Sequence, residues 1–83
     1  MQISRREREV FLALVRQVRQ EAGLRQEDLA ARLDVPQSFV SKIESGERRL
    51  DVLELRQLCA AIEISPLDFA RRLEEGLIST AAC

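Results

Sequence analysis

Gln37, Ser38, Ser41 and Lys42 are the residues of this chain best equipped for chemistry, and that chemistry is recognition rather than bond making. Placed on a helix at about 100° per residue, Val40 and Ile43 point one way while Ser38, Ser41, Lys42 and Ser45 point the other. The outer face is therefore slim and rich in hydroxyls, with one cation. Nothing bulky on it would hold the backbone away from an opposing surface. Hydroxyls and an ammonium group donate to phosphate oxygens, and Lys or Gln can read base edges in a major groove. Gln37 falls in the first turn, the end that a recognition helix presents to bases.

Composition excludes most alternatives. Eighty-three residues form one domain, small enough to be marginally stable alone, and 46% apolar with 33% charged residues reads as globular. Thirteen Lys and Arg against fourteen Asp and Glu leave a net charge of −1, which argues against bulk attraction to polyanions but not against a local basic patch. There is no His, so the commonest general base and zinc ligand are missing. Cys59 and Cys83 cannot build a disulfide framework or a metal site unaided. No nucleophile–base pair is visible, so an enzyme is not expected, nor a metal, cofactor or small-molecule ligand. The longest apolar run, Val10 to Val15, is far too short to span a membrane, and too short for the core of a signal peptide. These features together suggest a reducing, cytoplasmic setting.

The elements that must position the outer face are all helical, because no run of five or more residues alternates with period two. The first helix is expected over 5–22, opened by the Ser4/Glu7 capping-box spacing, with Val10, Phe11, Leu14, Val15, Val18 and Ala22 apolar. The second covers 26–33 and buries Leu29, Ala30 and Leu33; the third covers 37–45. The fourth starts after Asp51, with Glu54 three residues on, and ends near Ile62. The fifth opens with Ser65-Pro66-Leu67-Asp68 and is expected to stop at Gly76. That divides the chain into a domain over 1–76 and a fraying tail over 77–83. Cys59 joins Leu55, Leu58 and Ile62 as a buried, inert thiol, while Cys83 is expected to be exposed and open to oxidative cross-linking in vitro.

The stretch from Gln26 to Gly46, QEDLAARLDVPQSFVSKIESG, resembles the helix-turn-helix of the Xre-like, phage-repressor-like regulators. Gln26 stands where the family opens its first motif helix, and Ala30 where the two helices cross. Leu29, Leu33, Val35, Val40 and Ile43 fill the apolar positions, and Glu44-Ser45-Gly46 supplies the closing Glu-x-Gly. The likeness extends from about Leu12 to Gly76. It departs at Asp34, where Gly is usual, and at Arg25 and Pro36, which replace Ser or Thr caps at a cost of roughly 1 kcal/mol each. Pro36 offsets part of that by fixing a helix-compatible φ.

The resemblance implies an all-α, five-helix, lambda-repressor-like DNA-binding domain, with the motif at helices 2 and 3. It implies double-stranded DNA as partner, base reading by Gln37, Ser38, Ser41 and Lys42, and backbone contacts from Gln26, Ser45, Arg48 and Arg49. A bacterial or phage origin and a size similar to phage repressors, restriction-modification controllers and antitoxin-like regulators follow as well. It also implies an internal ion pair between Arg19 and Glu44. The helical wheel agrees, since Glu44 lies about 40° from Val40, on the core side. Phe39 is open between touching a thymine methyl or sugar and lying against helix 2 or the next loop. Leu67, Phe69, Ala70, Leu73 and Leu77 cover an arc of roughly 160°, more than one core face needs. The surplus suggests a two-fold homodimer built on helix 5, as is common in the family. The rival reading is a protein-interaction adaptor on the same helical fold, favoured modestly by the low net charge.

Overall fold

The computed structural model describes residues 1–82, with side chains described for 1–79. Five helices follow one another: α1 (Arg5–Glu21), α2 (Gln26–Leu33), α3 (Gln37–Ser45), α4 (Val52–Ile62) and α5 (Pro66–Ala82). There is no strand among the described residues. The helix starts are set locally. Ser4 and Asp51 each accept from the N–H three residues on, at Glu7 and Glu54, and each of those Glu side chains accepts from the cap's own N–H. Arg25 has no side-chain acceptor to offer, but Asp28 Oδ2 accepts from Arg25 N–H at 2.8 Å, which supplies half of that arrangement.

Three helices end in the same way. Gly23, Asp34 and Glu63 adopt left-handed φ values of 74°, 58° and 68°. In each case the next residue, Leu24, Val35 or Ile64, returns its N–H to a carbonyl five residues back. That residue is apolar and packs against the core. The pattern is a Schellman ending, which satisfies carbonyls that would otherwise be orphaned. Asp34 takes the family's glycine position at a strain of roughly 1–2 kcal/mol.

One core joins all five helices, with Val15, Val18, Leu29, Val40, Ile43, Leu58, Cys59 and Phe69 essentially sealed from water. Burial pushes the Cys59 thiol above its ordinary range. Ala22, expected as the last residue of helix 1, is its exposed C-cap. The larger correction concerns α5, which does not stop at Gly76. A Cβ there would lie 3.2 Å from Val10 Cγ1, so the glycine serves close approach of α5 to α1 inside a continuing helix. Arg72 bound to Glu21 through two hydrogen bonds, Arg6 on the Leu77 carbonyl, and the edge-to-face rings of Phe11 and Phe69 hold the same seam. Cys83 lies outside the described residues.

Candidate nucleic-acid interface

The site begins in the core. Arg19 Nε and Nη2 donate to the two carboxylate oxygens of Glu44 at 2.6 and 3.0 Å, and Arg19 Nη1 donates to the Leu24 carbonyl at 2.8 Å. Both side chains are buried. The pair is connected outward. Gln26 Nε2 donates to Glu44 Oε1 at 3.1 Å, and Gln37 Nε2 donates to Gln26 Oε1 at 3.1 Å. Four side chains from α1, α2 and α3 thus form one hydrogen-bonded chain from the buried pair to an exposed glutamine. Gln37 retains a side-chain carbonyl oxygen with no partner among the described residues.

Around Gln37 the outer face of α3 is open. Ser38 and Lys42 are exposed and Ser41 is half-buried, while Val40 and Ile43 face the core. Lys42 and Arg49 carry no ion pair among the described residues. At the start of α2, Asp28 already occupies the Arg25 N–H, so one donor of that helix end is taken before any anion arrives. The Arg25 guanidinium beside Asp28, and the backbone bond, hold the Asp28 carboxyl below its usual range.

Three expected backbone contacts have partners within the protein, and the first is Gln26, bound through both ends of its amide to Glu44 and Gln37. The Ser45 hydroxyl donates to the Lys42 carbonyl at 3.1 Å and accepts from Glu47 N–H at 3.4 Å. Arg48 is bound to Glu54, with Nη2 to Oε2 at 2.7 Å and Nη1 to Oε1 at 3.3 Å, and its guanidinium lies 4.3 Å from the centroid of the Phe39 ring. Phe39 is therefore half-buried beneath the loop that follows α3. Its position corresponds to the packing alternative.

The expected dimer set is divided. Phe69 is fully buried against Phe11, because the turn of α5 that carries it faces the core, and this removes it from any surface for a second subunit. Leu67 and Ala70 are exposed, and Leu73 and Leu77 are half-buried against α1. The sequence reading missed Val52 and Leu53, both exposed in the first turn of α4. Leu53 lies opposite the Leu55–Leu58–Ile62 stripe, which was the available signal, whereas Val52 falls at the stripe's edge beside Cys59 and is exposed because it opens the helix.

Among the described residues, no group of Cys, Asp and Glu is placed to hold a metal ion, and no helix is long and apolar enough to cross a membrane. A tight two-helix motif with a slim polar outer face, set on a bundle of three further helices, defines a helix-turn-helix domain. Residues 15–69 match the family model described as Helix-turn-helix. An uncharacterized HTH-type transcriptional regulator, y4dJ, of Sinorhizobium fredii (strain NBRC 101917 / NGR234) is 32% identical over 63 residues, which cover 76% of this chain and 82% of that protein. An XRE-family like protein from Pseudomonas syringae pv. tomato str. DC3000 superposes with a TM-score of 0.77 at 45% identity, over 83% of this chain and 84% of that one. The wild-type restriction-modification controller protein C.Esp1396I superposes with a TM-score of 0.80 at 26% identity, over 93% and 99% of the two chains. The chain belongs to the Xre-like helix-turn-helix family and is a DNA-binding transcriptional regulator.

Proposed function

We propose that this regulator recognises a two-fold symmetric operator as a homodimer, placing α3 of each protomer in successive major grooves about 34 Å apart. The observation that carries the reading is the hydrogen-bonded chain from Arg19 through Glu44 and Gln26 to Gln37. It fixes an exposed amide at the start of α3 by bonds rooted in the core, and base reading depends on such preorganisation. Gln37, Ser38, Ser41 and Lys42 choose bases. Arg49 sets register on phosphates, as do Gln26, through the second hydrogen of its Nε2, and Ser45, after exchanging its bond to Lys42.

The dimer face includes exposed Leu67 and Ala70 of α5 together with Val52 and Leu53 of α4. Leu53 and Ala60, seven residues apart, share one exposed side of α4, and Ala60 lines a recess with Pro66 at the start of α5. A second subunit on these two helices would cover apolar side chains that the single chain leaves in water.

Selection of bound sequences from a random double-stranded DNA library, at roughly physiological salt where non-specific binding is weak, tests the reading. A palindrome with half-sites about one helical turn apart is the expected product. Folded protein that enriches nothing would favour the adaptor alternative. Sedimentation that shows only monomer at high micromolar concentration would remove the dimer.

A further inference from the structure

We infer that Arg48 is a positioning residue that fastens the recognition helix to the start of α4, and not a phosphate contact. The inference rests on the operator reading above. α3 packs chiefly on α1 and α2, and beyond the shared core its link to α4 is the loop over 46–51. Arg48 is the hub of that loop. Its backbone N–H donates to the Lys42 carbonyl in the last turn of α3. Its guanidinium covers Phe39 in the first turn of α3, donates to the Arg49 carbonyl at 2.8 Å, and forks onto Glu54 in the first turn of α4. Glu54 simultaneously accepts from the Asp51 N–H at 3.1 Å.

Two observations place this tie at a corner where it bears on the operator complex. Phe39 and Glu54 face each other across an open surface recess of about 210 Å³, above the sealed side chains of Ile43 and Leu58. The first turn of α4 also carries exposed Val52 and Leu53, part of the proposed dimer face. The clamp therefore sets the angle between each recognition helix and the two-fold axis. Its charge is consistent with that role, because Glu54 neutralises Arg48 and uses both sides of its fork, leaving little for a phosphate to attract.

Glu54→Gln tests this cleanly, since Gln still accepts the Asp51 N–H and preserves the helix start. With the folded state confirmed by circular dichroism, operator binding is expected to weaken about three- to tenfold. The dependence on salt should keep its wild-type slope. Discrimination against an operator with one base pair inserted between half-sites should shrink. Arg48→Gln should behave alike, and the double variant should be no worse than either single one. Phe39→Leu, which removes the ring but leaves the ion pair, should weaken binding in the same sense by less.

The opposite result is equally legible. If Arg48 served a phosphate, Glu54→Gln would release it and tighten binding, and Arg48→Gln would lower the salt slope by about one. Either finding overturns the inference, as does wild-type affinity in both variants. A wild-type protein that selects no sequence overturns the operator reading and this inference together. A wild type that selects an operator which Glu54→Gln binds equally well overturns this inference alone.

Discussion

Two of the chain's guanidinium forks on carboxylates hold the recognition helix, Arg19 on Glu44 from the core side and Arg48 on Glu54 from the loop that follows α3. In the Arg19–Glu44 pair the side chains are 9% and 5% exposed; in the Arg48–Glu54 pair they are 37% and 34% exposed. The buried pair is fully satisfied: Glu44 accepts from Arg19 twice and from Gln26, and Arg19 also holds the Leu24 carbonyl. Removing one partner there strands a charge away from water. At the half-exposed pair water replaces a lost partner, so the contribution to stability is small. The difference teaches that similar contacts carry different penalties when broken: a lost partner leaves a stranded charge in the first pair and a rehydrated one in the second.

The largest expected effect breaks the buried pair. Glu44→Ala should destabilise by about 3–5 kcal/mol. At roughly 4–8 °C per kcal/mol for a domain of this size, thermal unfolding followed by circular dichroism should show a fall of more than about 10 °C. An unchanged melting temperature would sink the assignment. The double variant Arg19→Met with Glu44→Leu should recover much of the loss, because it leaves no stranded charge.

Gln26→Ala comes next. It removes one of three bonds to Glu44, which is worth about 0.5–1.5 kcal/mol, and it unfastens Gln37. Denaturant unfolding should record the modest loss, and binding assays should show a larger proportional fall in operator affinity than in non-specific affinity. Equal falls would mean that Gln37 is not held for base reading.

Glu54→Gln should change stability least near neutral pH, because solvent screens this pair; urea unfolding in parallel with Glu44→Ala measures it. A loss as large as that of Glu44→Ala would erase the distinction between the two pairs. Acid sharpens it. The Arg48 guanidinium, and then the Asp51 N–H, hold the Glu54 carboxyl below its usual range. A carboxylate depressed on folding stabilises the native state above its unfolded pKa, about 4.3 for Glu, and that contribution is lost as pH falls through the lower folded value. Glu21, held down first by Arg72, and Asp28, held down first by Arg25, act in the same direction. Stability should thus decline below about pH 4, and the Glu54→Gln protein should decline less steeply.

Much of this was legible in the residues. Ser4 with Glu7 and Asp51 with Glu54 announce helix starts because both partners lie within one turn. The bounds of α2 and α3 were legible for a similar reason, through Gln26, Pro36 and Gly46. Glu63 was not, since an acidic residue gives no sign that it will take a left-handed φ.

What the sequence alone determined is therefore local or periodic: five helices, the apolar stripes, the slim face of α3 and the family that these patterns identify. What only the tertiary structure decided is which of several equivalent partners each side chain meets. Phe69 and Leu67 lie two residues apart on α5, yet packing on α1 seals one and exposes the other. Gly76 reads as a helix stop until Val10 lies against it, and Arg48 reads as a loose phosphate ligand until the fold brings Glu54 and Phe39 within reach. A hydrogen bond within one turn is fixed by backbone geometry, whereas a contact between helices depends on how they rotate and approach, which only the packed core sets.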